Sequence, residues 1–333
     1  MNKNNKAQVI IITLWILIIL SLLAVSVANR VSLGLRLSRF ATDRLKARAL
    51  AVSGINRTII QLDADNNSYD SLKEFWADSR ESFKEVRLVD SVDNEVYSIE
   101  YTRPDESLKP STIFGVIDEE RKLNINLADE DLLRMLFEEL KVSDAGKISR
   151  NIMAWRGDSN IPPDDESRDY SLQGYPCKAA PLVNIEELLL VKGMTPAIFE
   201  DIKDFITVWG IQQDRVNVNI NTASRELISV LIKYAVFQNG SGSKEAIAGL
   251  LDAIIEKRKA DPFLSIADLS AKLNLPEDSE ENNIFNSLQQ FIDVQSDFFY
   301  ISAVGIIKNR SHRLRLECVY DRSEKAIKFW HQD

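Results

Sequence analysis

The sequence predicts an α+β fold: a long N-terminal helix, part transmembrane and part amphipathic, packed on an antiparallel sheet, with a large all-α domain inserted into that sheet. Three observations predict it. Residues 9–28 (VIIITLWILIILSLLAVSVA) are apolar without a charge or a proline. Strand-like segments lie before residue 118 and after residue 295, with a strand-poor interior between them. That interior contains a duplication at an offset of about a hundred residues, the size of a repeated supersecondary unit.

As a helix rising about 1.5 Å per residue, the apolar run crosses a hydrocarbon core of about 30 Å. Lys3 and Lys6 precede it with no acid, which favours a cytoplasmic N-terminus. Arg30, Arg36, Arg39 and Arg44 on the far side weaken that asymmetry. A secretory signal peptide would have a shorter apolar core followed by small-residue cleavage signals. Here Leu45, Ala49, Val52, Ile55, Ile59 and Leu62 instead continue at three- and four-residue steps with no proline. The reading is one helix over 9–62, with 9–28 in lipid.

Next, VRLVDSVDNEVYSIEYT reads as a hairpin. Asp93-Asn94 supplies the turn, Tyr97, Ile99 and Tyr101 form a half-buried face, and Pro104 and Pro110 close the segment. At the other end FFYISAVGII and HRLRLECVY form two strands. Leu314, Leu316, Cys318 and Tyr320 share one face, and KAIKFW adds a lysine-guarded edge strand. An isolated hairpin is marginal in water, so the two halves should join. The division is therefore 8–117 with 294–333 as one unit, after a leader at 1–7, and 118–293 as the insertion.

In the insertion, NINLADEDLLRML from Asn124 matches NINTASRELISVL from Asn219. The helices that follow end in Trp155-Arg156 and Lys257-Arg258, and short stretches VNIEELLLVKGM and LSIADLSAKLNL close units of about 123–194 and 218–275. Asn126 and Asn221 are the candidate N-caps. Leu132, Leu133 and Leu136 pair with Leu227, Ile228 and Leu231 as core positions, and Thr195-Pro196 opens a further helix. The units resemble helix-hairpin-helix (SAM-like) folds. Gly193 is the only glycine at either hairpin, which argues against a backbone phosphate site.

The net charge of −9 also argues against nucleic acid as a partner. Cys177 and Cys318 fall in different units, and their pairing stays open. Two histidines, His312 and His331, are too few and too peripheral for a zinc site or a catalytic triad. No GxSxG, HExxH, P-loop or paired-cysteine pattern occurs, so no enzyme is predicted. Between Trp155 and Tyr175 an acidic loop stiffened by prolines carries Asp158, Asp164, Asp165 and Glu166. On residues alone it is either a solvated loop or an irregular calcium site.

The basic leader and half-apolar helix resemble type IV pilins and pseudopilins. The matching prepilin cleavage junction is Ala7 followed by Gln8, with alanine where glycine is usual. The fifth mature position, where most pilins carry glutamate, is Ile12. That departure is typical of the type II secretion protein K (GspK) family. The NxNxA starts, WRGD…DDESRDY and PLVNIEELLLVKGM resemble the same family, and the resemblance covers the whole chain. It implies a minor pseudopilin at the pseudopilus tip, which initiates assembly and takes part in protein export. It further implies a single inner-membrane pass with the bulk in the periplasm. Implied partners are I- and J-type minor pseudopilins, a prepilin peptidase, secreted cargo and the outer-membrane secretin. Calcium in the insertion is implied too, with Asp158, Asp164, Asp165 and Glu166 as the expected ligands. The rivals are a membrane-tethered helix-hairpin-helix DNA-binding protein of a competence-like system and a signal-anchored periplasmic enzyme.

Overall fold

A computed structural model describes residues 3–88, 95–104, 110–162, 164–210, 215–240, 242–310 and 312–332. A single helix, α1 (Lys3–Asp63), runs for 61 residues, about 90 Å at helical rise. From Val9 to Thr42 its residues are exposed. Burial begins at Asp43 and follows Ala47, Leu50, Ala51, Gly54, Ile55, Thr58 and Leu62. The expected stripe is therefore rotated: Ile55 and Leu62 are in it, but Leu45 is 66% exposed and Ala49 is exposed. Small residues decide which face packs, because the sheet comes very close. A Cβ built on Gly305 would stand 1.9 Å from the Ala47 carbonyl oxygen, and one on Gly54 would stand 2.6 Å from the Tyr97 ring. Larger side chains on that face would hold helix and sheet apart.

After α2 (Arg80–Phe83) come β1 (Val86–Arg87), β2 (Glu95–Ile99), β3 (Tyr101–Pro104), β4 (Pro110–Ile113) and β5 (Ile117–Asp118). The C-terminal strands are β10 (Phe298–Ile307), β11 (His312–Asp321) and β12 (Ala326–Gln332). The main sheet has the order β1-β2-β10-β11-β12, with β5 also pairing β10, and the pairings are antiparallel. The halves join as expected: Ile99 is opposite Ala303 and Asp118 opposite Phe299. The turn at Asp93-Asn94 lies outside the described residues. Pro104 and Pro110 do not close the segment; they pair with each other at the ends of a second hairpin, β3–β4. Proline is tolerated at such ends, where no N–H is required. Leu314, Leu316, Cys318 and Tyr320 are buried against α1 with Tyr97, Ile99 and Phe299.

The interior strands and helices are β6 (Leu123–Asn124), α3 (Glu130–Glu139), α4 (Ala145–Trp155), α5 (Pro196–Ile202), β7 (Ile206–Thr207), β8 (Val218–Asn219), α6 (Arg225–Asn239), α7 (Lys244–Ala260), α8 (Ile266–Leu273), α9 (Glu280–Leu288) and β9 (Ile292–Asp293). The interior is thus mostly helical rather than all-α, because β6 pairs β7 and β8 pairs β9, both parallel. The matched order continues through these pairs to Thr207 and Asp293, past the sequence limits of 194 and 275. Two-residue strands carry no readable alternation.

The N-caps are Asp129 and Ser224, not Asn126 and Asn221. The two asparagines do the same other job in each copy. Asn126 Nδ2 donates to Leu182 O while Leu182 N donates to Asn126 Oδ1, both at 2.8 Å. Asn221 exchanges the equivalent bonds with Phe263 at 2.9 and 2.8 Å. Arg156 Nη1 donates to Ile125 O and Ala128 O at 2.6 Å, and Arg258 Nη1 to Ile220 O and Ala223 O at 2.8 and 2.7 Å. Each arginine satisfies carbonyls that the turn before the helix leaves free. Burial pulls the Arg258 guanidinium down to about 10. All six matched core positions on α3 and α6 are buried. Thr195 caps α5 by accepting from Ile198 N, with Pro196 at its first position. The C-cap after α8 is Asn274 in the left-handed region (φ 48°), and Gly193 (φ 87°) ends the corresponding stretch of the first copy.

Candidate functional site

Two surfaces stand out: the bare length of α1 and the acidic loop of the first interior unit. From Val9 to Phe40 the large apolar side chains of α1 are exposed, and its most apolar window has mean hydropathy 2.9 with none of it buried. Thr13 and Ser21 donate their hydroxyls to Ile10 O and Leu17 O of their own helix at 2.9 and 2.7 Å. These two hydroxyl protons are therefore satisfied within the helix. Ile12 is 58% exposed, and Ala7 and Gln8 lie in the first turns of α1. Beyond the apolar run, Leu45 and Ile60 remain 66% and 68% exposed on the side away from the sheet.

The interior domain attaches at the opposite end of α1, through a saturated polar junction. Arg322 forks onto Asp70 at 3.1 and 2.7 Å, and Ser296 N donates to the same carboxylate at 2.8 Å. Asn219 Nδ2 reaches Asp70 O, Asp118 Oδ2 and Ser296 Oγ, while Thr222 Oγ1 donates to Asp118 Oδ2 at 2.5 Å. Glu120 N closes on Asp118 Oδ1 at 2.8 Å. Burial pushes the Asp118 carboxyl up to about 6, against the hydrogen bonds from Thr222 and Ser296. Each side of the junction has an apolar core of its own, one under the sheet and one in the insertion. So many fixed partners hold the insertion in one orientation above the helix end.

The acidic loop does not gather its carboxylates. Asp165 Oδ2 is held by Arg150 Nη2 at 2.5 Å, and Asp165 Oδ1 caps Ser167 N at 2.9 Å. The Arg150 contact, then Ser167, lowers the Asp165 pKa. Asp158 Oδ2 faces Arg156 at 3.2 Å, and its Oδ1 accepts from Asn160 N at 2.9 Å. Burial raises the Asp158 pKa, but these bonds outweigh it and the net shift is downward. Asp164 and Glu166 are exposed. The loop's carbonyls are engaged as well. Arg168 Nη2 donates to Asp158 O and Ile161 O at 2.8 and 2.9 Å, and its Nε to Ile161 O at 3.2 Å. Lys192 Nζ donates to Glu166 O at 3.1 Å and Asp169 O at 3.3 Å. Calcium needs six to eight converging oxygens. Asp158 and Asp165 each turn one oxygen to a guanidinium and the other to a backbone N–H, Asp164 and Glu166 are exposed, and the four do not converge on one point.

Among the described residues, the carboxylates that do come together are Asp65, Asp70 and Glu74, with ligand atoms within 4.8 Å. Asp70 is taken by Arg322, and Glu74 accepts from Asn67, Ser71 and Trp76. The sequence reading missed the cations of the loop. Arg150, Arg168 and Lys192 were legible only as basic residues spaced among the acids. Under the loop, Tyr170 and Tyr175 pack on Trp155, with ring centroids 5.2 and 6.2 Å away. Cys177 and Cys318 are free thiols, and burial pushes Cys318 up to about 12.

Residues 116–210 match the family model for type II secretion system protein K, first domain. A comparison with curated proteins gives no match. Among solved structures, a chain of the GspK-GspI-GspJ complex from the enterotoxigenic Escherichia coli type 2 secretion system superposes with a TM-score of 0.62 at 14% identity. The match covers 89% of this chain and 99% of that one.

Proposed function

We infer, from the protein K domain that residues 116–210 form and from the GspK-like fold around it, that the chain works as a minor pseudopilin of a type II secretion system. The single observation that carries the reading is the division of α1: an unburied apolar half, then a half packed beneath a sheet. An apolar helix with its backbone bonds satisfied is what a bilayer accepts, and the same surface packs against sister helices in a staggered bundle. The chain then spans the inner membrane once, with sheet and insertion in the periplasm.

The insertion is fixed at the end of α1 away from the apolar run, and this supports a place at the pseudopilus tip. A subunit stacked above would collide with it. Ile12 asks for no charged partner from such a subunit. The partners are the I- and J-type minor pseudopilins, with which this chain initiates assembly. Contact with cargo or the secretin falls to the exposed insertion, and prepilin peptidase acts between Ala7 and Gln8. The interior units serve as helix-hairpin-helix scaffolds. Co-purification from detergent-extracted membranes tests the partner reading. The full chain should bring down both partners, and Leu45→Asp should reduce the yield while leaving the chain folded. Full recovery of the chain with neither partner would overturn it.

A further inference from the structure

We propose that the acidic loop of the first interior unit is closed by the chain's own cations, Arg168 and Lys192, and holds its shape without a metal ion. The observation is the direction in which the loop's oxygens turn. Asp158 O and Ile161 O converge on one guanidinium, that of Arg168. Glu166 O and Asp169 O converge on one ammonium, that of Lys192. Converging carbonyls around a positive charge are the arrangement a calcium loop makes, with the ion replaced by a tethered side chain. Arg150 and Arg156 pair with the carboxylates of Asp165 and Asp158. A divalent ion would have to displace a guanidinium whose entropy of positioning is already met by the fold.

The second copy of the unit supplies an independent argument. There the chain passes directly from Arg258 to Phe263, where the first copy runs from Arg156 to Leu182. Yet the Asn221–Phe263 exchange and the Arg258 carbonyl clamp match the Asn126–Leu182 exchange and the Arg156 clamp. The exchange and the clamp therefore form without the long connection, which leaves that connection to be held by its own contacts. In the first copy the connection is longer and rests on Trp155 through Tyr170, whose hydroxyl accepts from Lys192 N at 3.1 Å. Lys192 thus links the loop to the hairpin of the same unit. Asp164 and Glu166 are left pointing to solvent on a fixed frame.

The test uses the full chain in detergent micelles, melted in chelator and in about 10 mM calcium. A site of about 10⁻⁴ M affinity would raise the melting temperature by roughly 4 °C. The expectation is no saturable shift and equal hydrogen-exchange protection over residues 158–174 in both buffers. Arg168→Gln, and separately Lys192→Gln, should cut protection in that loop at least about tenfold, with α6 and α7 as the internal control for folding. Calcium should not restore it. A saturable calcium shift in the parent chain, or loop protection that disappears in chelator, would overturn the proposal. So would full protection in both variants.

Discussion

Replacing Gly305 with alanine should pry the long helix off its sheet. The added Cβ would meet the Ala47 carbonyl oxygen at 1.9 Å, where a carbon and a carbonyl oxygen normally stay about 3.3 Å apart. Ala51 N would be 3.1 Å away, so the obstruction is backbone on both sides and no rotamer change relieves it. Helix and strand must separate by about an ångström, and the layer formed by Ala47, Ala51, Ile301 and Ala303 loses contact. Overpacking of this kind costs about 3 kcal/mol. For a chain this large that is a fall of about 4 °C in melting temperature. Calorimetry on the full chain in detergent measures it, with hydrogen exchange on β10 to locate the loss. Gly249→Ala is the control: nothing lies within 4 Å of its Cβ, and it should be neutral or stabilising by up to about 1 kcal/mol. A melting temperature for Gly305→Ala within about 1 °C of the parent would refute the close-packed helix–sheet contact.

Three further outcomes are expected. Arg258→Ala or Arg156→Ala strands two carbonyls that each arginine satisfies, and should cost about 2–4 kcal/mol in urea denaturation with unchanged slope. Asp118 has its folded pKa raised from 3.8 to about 6, so the folded chain holds that proton more tightly than the unfolded chain. Its contribution is full below about pH 4 and is lost as pH rises to about 6. The stability difference between the parent and Asp118→Asn should therefore fall by about 3 kcal/mol across that window and stay flat above it, measured by chemical denaturation at each pH. Leu45→Asp should alter stability by no more than about 0.5 kcal/mol, since that side chain is exposed, and show its effect only in assembly.

The parts of the fold legible in the sequence are those whose residues repeat with a period. The apolar run, the alternation in β11 and the doubled NxNxA starts each impose a spacing that survives folding. What the sequence did not reveal depends on partners far away in the chain. Leu45 reads as part of the packed face because it is large and apolar, but the sheet selects alanine and glycine there for closeness. Asn126 and Asn221 read as caps because the helix follows directly, yet each pairs with a backbone segment that closes its own unit. The acidic loop draws attention through its carboxylates, and arginines whose reach cannot be read from spacing pair with them and with its carbonyls. Asp118 carries no local signal at all; its burial exists only once β5, β8 and β10 meet.

The position of the chain in the assembled fibre tests the central reading most directly. Gold labelling of an epitope fused after residue 332, on fibres carrying the full chain and on fibres carrying a variant lacking 118–293, reads that position. The account predicts label at one end only for the full chain and label along the length for the variant. Label distributed along fibres of the full chain, or confined to the tip in the variant, would contradict it.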